Sequence, residues 1–433
     1  MLLKITPYHA FLLILFIFAC KNEQKKPTIA LTTTTTSTFH QAGEFELTAA
    51  VWLYWSNYDN KQGYSSNAVQ LEMIRQIAPY SVVKVAVAND SLATYVTSKL
   101  SYELIQTNQV KIIVLPHQEV WARDIGPNFV VNAQGEKAIV DYDYNYWGYQ
   151  KAGDPSLKTD ETADENVAKS MQLPCFSTNL VTEGGNHEVN GKGVLIASEV
   201  VALGRNPTMT LAQIEAEYKR LIGVKKIIWL KKGVREDDQT FRGVLKNEKG
   251  ETVYTVIPTG GHVDEVARFV DANTILLSSI DSSDLKDPIA LETATRMEEN
   301  YQILKAATDQ DGKPFRILRM AVPKTYQTTM QPGDGVYDYI KDLTYLDKSV
   351  FPKGKPIKVI AATSYINFLI VNELILTTKY ARSSKDKELV RRDENARKVL
   401  QVAFPNKKIV QIDAMPINLG GGGLHCITMN EPK

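Results

Sequence analysis

Toward its C-terminal end the sequence reads Leu419-Gly420-Gly421-Gly422-Gly423-Leu424-His425-Cys426-Ile427-Thr428. Ordering glycine costs about 1 kcal/mol per residue relative to alanine in regular structure, so such a run is tolerated where backbone must approach something closely. A phosphate loop would follow its glycines with Lys and a helix. Here a cysteine follows, and the apolar Leu424 and Ile427 beside it argue against a solvated tail and for a nucleophile. The chain has three cysteines, Cys20, Cys175 and Cys426, too few for a dense disulfide framework. In an exported protein Cys175 and Cys426 could still pair.

Three other segments join glycine to reactive side chains. In Trp121-Ala122-Arg123-Asp124-Ile125-Gly126-Pro127 the Gly-Pro pair breaks regular structure and predicts Asp124 at a strand end, facing a cleft. The alternative is an Asp124 satisfied by Arg123 or by a turn amide. In Gly260-Gly261-His262-Val263-Asp264 an extended backbone would project His262 and Asp264 to one side, one moving protons while the other orients a cation. A core histidine beside a carboxylate is the commoner meaning of His-x-Asp. No second histidine lies near His262 and no cysteine pair completes a zinc site, so no metal is expected. In Glu183-Gly184-Gly185-Asn186-His187, Glu183 is a candidate acidic wall, whereas His187, like His425, reads as structural or supporting.

The elements that must position these residues alternate between strand and helix. Val110–Leu115, Lys137–Tyr144, Val224–Leu230 and Thr274–Ile280 read as strands. Leu211, Ile214, Tyr218 and Leu221 recur at helical spacing, with a capping box predicted at Thr210 and Gln213 and a stop at Gly223. Phe368–Val371 and Leu374–Thr378 look like strands joined at Asn372-Glu373. The mixture is α/β or α+β, a single catalytic domain over 44–433 whose topology the pattern does not reveal.

Ahead of that domain, Lys4 and the apolar run Phe11–Ala19 fit a signal peptide over 1–20, ending in Ile17-Phe18-Ala19-Cys20. This resembles a lipobox, with Cys20 lipidated on an exported protein facing the periplasm or cell surface; simple secretion is the alternative. Residues 21–43, with the tract Thr32–Thr36, read as a flexible tether. With 50 Lys plus Arg against 49 Asp plus Glu, net charge is +1, and no clustered basic face points to nucleic acid. Any membrane attachment is expected through the lipid alone.

Taken together, the segments resemble the agmatine deiminase and Porphyromonas-type peptidylarginine deiminase family of the guanidine-modifying superfamily. The matching pieces are WARDIGP (Trp121–Pro127), EGGN (Glu183–Asn186), GHVDE ending at Glu265, SYINF (Ser364–Phe368) and GGGLHCIT (Gly421–Thr428), in the family's order. The resemblance implies a pentein fold, a five-bladed αβ propeller with its site in the central channel, and neither metal nor organic cofactor. It assigns Cys426 as nucleophile, His262 as general acid/base, and Asp124 and Asp264 as guanidinium-binding carboxylates. Trp121, Glu183, Asn367 and Trp147 are candidate substrate-binding residues, the role of Asn367 staying open.

The implied chemistry is hydrolytic. Carboxylates hold a planar guanidinium by paired charge-assisted hydrogen bonds, the thiolate attacks its carbon, and ammonia leaves a covalent thiouronium for water to resolve. Between Asp124 and Arg205 no arginine is available to grip an α-carboxylate, and the aromatic stretch Asp141–Trp147 could line a pocket for an alkyl chain or ammonium, the alternative being a partly exposed aromatic strand. That favours agmatine, giving N-carbamoylputrescine; peptidyl-arginine, which an exported enzyme could meet, is the alternative. An amidinotransferase or a non-catalytic guanidinium-binding protein would carry the same motifs with a different outcome.

Overall fold

The computed structural model describes residues 39–57, 59–105 and 108–433. The expected leader, Cys20 and the Thr32–Thr36 tract lie outside the described residues. Residues 39–43, assigned to the tether from sequence, belong to the domain. His40 bridges Val131, Gln41 N donates to Ile222 O at 3.1 Å, and Phe39 packs edge-on against Phe176. The polar composition of this stretch hid those backbone pairings.

Five sheets among the described residues follow one pattern: an antiparallel pair whose second strand runs parallel to a third, reached through helix. In the second unit Asn128–Val131 pairs antiparallel with Lys137–Asp143, which pairs parallel with Cys175–Val181. The third repeats this with Glu188–Val189, Val194–Ser198 and Lys226–Leu230. The fourth does so with Ala267–Asp271, Thr274–Ser279 and Arg316–Ala321, and the fifth with Leu369–Val371, Leu374–Thr378 and Lys408–Ile412. In the first unit the antiparallel partner comes from the far end of the chain. Thr428–Pro432 pairs with Thr48–Tyr54, which runs parallel to Val82–Val87 and so to Val110–Val114. A further sheet, built from Leu245–Lys246, Thr252–Thr255, Gln327–Met330 and Ile357–Ile360, stands outside the repeat.

Local chemistry explains the elements. Helix Leu211–Ile222 begins with a reciprocal Thr210–Gln213 capping box, buries Ile214, Tyr218 and Leu221, and ends on Gly223 at φ +67°, where a side chain would be strained. The strand pair at Asn372-Glu373 is a tight hairpin with Asn372 at φ 48°. Strand interiors such as Val194–Ser198 are buried throughout, as expected where helices cover a parallel pair. The architecture is α/β.

The repeat places the reactive residues. Asp124 precedes strand Asn128–Val131, Glu183 precedes Glu188–Val189, and His262 and Asp264 precede Ala267–Asp271. Asn367 precedes Leu369–Val371, and Cys426 precedes Thr428–Pro432. Each of the five sheets thus presents one motif from the loop entering its first antiparallel strand. That equivalence brings together segments far apart in the chain, as in the contact between Arg123 and His425, 302 residues apart.

Candidate active site

Cys426, His262, Asp264, Asp124, Asn367 and Glu183 all lie below 8% exposure. The Cys426 thiol is 3.7 Å from Asp264 Oδ2, and Asn367 Nδ2 donates to both, at 3.2 Å to Sγ and 3.0 Å to the carboxylate. Asn367 Oδ1 accepts from the His425 amide at 2.9 Å. Asn367, whose role sequence left open, therefore orients both thiol and carboxylate. Opposite them, Asp124 Oδ2 accepts from the Trp147 indole at 2.9 Å and Oδ1 from the Gly185 amide at 3.3 Å. His262 Nδ1 lies 3.9 Å from Asp124 Oδ1, and its Nε2 meets Glu183 at 3.1 Å.

Two local expectations are corrected. Asp124 sits in a short helix, Ala122–Ile125, rather than at a strand end, and Gly126-Pro127 opens a strand instead of closing one. Its own carboxylate is held by Trp147 and the Gly185 amide, while Arg123 pairs with Glu44. The His262–Asp264 stretch is not extended but a turn, with Val263–Glu265 in 3₁₀ geometry and Gly260 and Gly261 at φ +92° and +113°. The Asp237 carboxylate pins this turn by accepting from the amides of Thr259, Gly261 and His262. As a result His262 turns toward Asp124 and Glu183, and Asp264 toward Cys426.

Close backbone approach accounts for the glycines. A Cβ on Gly185 would stand 2.3 Å from His262 Nδ1, on Gly422 3.0 Å from Cys426 Sγ, and on Gly423 2.4 Å from Asn367 Oδ1. Trp121 and Trp147 meet edge to face at 6.2 Å and wall the Asp124 side. Tyr146 and Trp147 hold φ of 54° and 53°, a left-handed conformation costing on the order of 1–3 kcal/mol each for such residues. Cys175, on its own strand, and Cys426 are both free.

A model of one protein family, the Porphyromonas-type peptidyl-arginine deiminases, matches residues 40–432. This chain belongs to that family. It is 29% identical over 411 residues to the agmatine deiminase of Medicago truncatula, covering 91% of this chain and 96% of that protein. To the agmatine deiminase of Pseudomonas syringae pv. tomato it is 29% identical over 401 residues, covering 91% and 95%. It shares its fold with the agmatine deiminase of Enterococcus faecalis at a TM-score of 0.70 and 22% identity, covering 93% of this chain and 99% of that one.

The charges in this deiminase-family site are arranged for a cation. Burial opposes charge on His262, but Asp124, Glu183 and Asp264 outweigh it and lift the ring to about 9, so it is protonated at neutral pH. Burial, with Glu183 and Asp264 adding to it, raises Asp124 to about 6. Burial would raise Asp264 too, yet the His425 hydrogen bond and charge hold it below its ordinary range. Burial first, then Asp264, Glu265 and Asp124, push the Cys426 thiol well above its ordinary value. Among the described residues, Asp264 Oδ1 and His262 Nδ1 have no hydrogen-bond partner.

Glu183 spends one carboxylate oxygen on His262 and the other on Arg205 Nε, at 2.7 Å, which offsets its burial and takes it down to about 2. Its place is behind the histidine, orienting the ring. His187 bonds Thr182 and Tyr218. Sequence reasoning missed Arg205, Asp237 and Glu44, none of which stands in a glycine-rich segment or at a spacing that links it to the site.

Proposed function

We propose that this chain hydrolyses agmatine to N-carbamoylputrescine and ammonia. The observation that carries the reading is the buried thiol of Cys426 within 3.7 Å of one carboxylate, with a second carboxylate and a cationic histidine in the same enclosed site. A guanidinium between Asp124 and Asp264 forms charge-assisted bonds to both and places positive charge beside the sulfur, favouring the thiolate. The thiolate attacks the guanidinium carbon, and His262 hands its proton to the departing nitrogen, releasing ammonia. The neutral ring then takes a proton from water, which attacks the thiouronium carbon. The C–S bond breaks and the ureido product leaves.

Enclosure favours a small guanidine over a protein chain, since Trp147 and Trp121 cover the Asp124 side. Beyond Trp147, Glu119 bonds the Tyr146 hydroxyl at 3.0 Å, and Tyr146 packs against Tyr339 at 5.7 Å. Burial, with Asp160 adding to it, raises Glu119 to about 7. A carboxylate among tyrosine rings suits a terminal ammonium, which would restore its charge. The five equivalent units support a five-bladed propeller around a central channel, and the leader supports export with a lipid anchor at Cys20.

The test is ammonia and ureido-product formation from agmatine, free arginine and arginine-containing peptides, with and without an amine acceptor. Agmatine is expected to have the highest kcat/KM. Turnover confined to peptides would establish the peptidyl-arginine reading instead. Transfer of the amidino group to the acceptor would make the chain an amidinotransferase.

A further inference from the structure

Beside Cys426, a buried charge network that reaches Asp264 Oδ2 converges on one residue of the N-terminal segment. The His425 ring is 1% exposed and faces a carboxylate at each nitrogen, Asp264 Oδ2 at 2.7 Å from Nδ1 and both Glu44 oxygens at 2.9 Å from Nε2. Glu44 also pairs with Arg123 Nη1 and Arg268 Nη2, each at 2.5 Å. Arg268 completes its contacts on Glu188 at 2.7 Å and the Phe368 carbonyl at 2.6 Å. The three partners of Glu44 are neighbours in sequence of the reacting groups. Arg123 adjoins Asp124, His425 adjoins Cys426, and Arg268 lies in the strand that follows Asp264.

We propose that Glu44 and His425 are positioning residues for the deiminase reaction, a relay by which the N-terminal segment keeps Asp264 ionised and fixes its Oδ1 toward the guanidinium. The proposal rests on the reading of the site given above. The ring's Nδ1 gives Asp264 Oδ2 a fixed hydrogen-bond donor, while Nε2 ties the same ring to Glu44. The titratable groups around the ring are Asp264 and Glu44 in direct contact, then Arg123, Arg268, Glu188, His262 and Cys426. A buried carboxylate without such a donor would take up a proton and lose its hold on a cationic substrate. Glu44 holds the far nitrogen and so fixes the orientation of the ring. It also ties together the loops that carry Asp124, Asp264 and Cys426.

His425→Gln leaves Glu44 paired with both arginines, so it is the variant expected to keep the fold, checked by its melting curve. Its kcat/KM for agmatine at pH 7 should fall at least tenfold, with the acid limb of the pH profile moved upward. Glu44→Gln should give the same displacement, and Glu44→Asp should restore part of it. The double variant should be little worse than His425→Gln alone, because both act through one path. A wild-type acid limb in folded His425→Gln, or additive losses in the double variant, would overturn the proposal. A second measurement needs no substrate: the pH dependence of Cys426 alkylation by iodoacetamide, read by peptide mass mapping. A profile displaced by His425→Gln supports the relay, and an unchanged profile refutes it. Failure of the wild-type protein to turn over any guanidine would instead count against the deiminase reading.

Discussion

Replacing Trp147 by phenylalanine removes one donor from Asp124 while keeping an aromatic ring in the wall. The indole N–H lies 2.9 Å from Asp124 Oδ2, and a hydrogen bond to a charged group contributes about 1.5–3 kcal/mol. At 1.36 kcal/mol per pKa unit, that loss corresponds to roughly one to two units. Asp124 already stands at about 6, so the variant should titrate at roughly 7–8. At pH 7 the ionised fraction would drop from about nine-tenths to between roughly one-half and one-tenth. Because kcat/KM reports groups of the free enzyme, its value for agmatine should fall about 2–9-fold at pH 7 and more steeply at pH 6. Near pH 8.5 it should recover, while the alkaline limb set by His262 stays near 9. Stability carries the same sign. A carboxylate whose native pKa is raised contributes stability below its unfolded value and loses it as pH rises through the native one. The deficit in Tm of the variant should therefore widen as pH rises. A pH-independent loss of kcat/KM would refute the role given to the indole.

Cys426→Ser should lower turnover by several orders of magnitude while agmatine still binds by calorimetry, and intact mass spectrometry should find the covalent adduct only in the wild type. An adduct mapped to Cys175 would remove Cys426 from its role. Glu119→Gln should raise KM for agmatine by roughly tenfold, the loss of one charge-assisted bond, with kcat nearly unchanged; an unaltered KM would place the ammonium elsewhere. Gly422→Ala forces a methyl to 2.7 Å from Trp121 and 3.0 Å from Cys426 Sγ, so kcat should fall at least tenfold with the fold retained by circular dichroism. Cys20→Ser should move the protein from the membrane to the soluble fraction at unchanged kcat, and identical partitioning would count against lipidation.

How much of this was legible in the sequence depended on how local its cause was. The Thr210–Gln213 cap, the Gly223 stop and the Asn372 hairpin are short-range effects, and all three stand where the residues put them. The glycine clusters marked the site because close approach leaves a compositional trace. The conformation of the His262–Asp264 turn left none, since its amides answer to Asp237, 25 residues earlier in the chain. The Glu44 network was equally silent: its ion pairs join residues 224 and 381 apart, to Arg268 and His425. The repeat of five sheets could be expected only from the family resemblance and not from the strand pattern, because equivalent strands share burial but not residue identity.

The seam between the first and last strands has a kinetic consequence. Trp52 donates to Glu431 across 379 residues of chain, and closing a loop of that length costs about 5 kcal/mol of chain entropy. Cys426 enters the site from the loop that leads into the strand making this seam. Contacts so distant in sequence form slowly, and nucleophile and carboxylates meet only when the seam closes. Partly folded chains are therefore inert toward guanidines, and the recovery of turnover during refolding should track the final, slowest phase rather than the first appearance of helix.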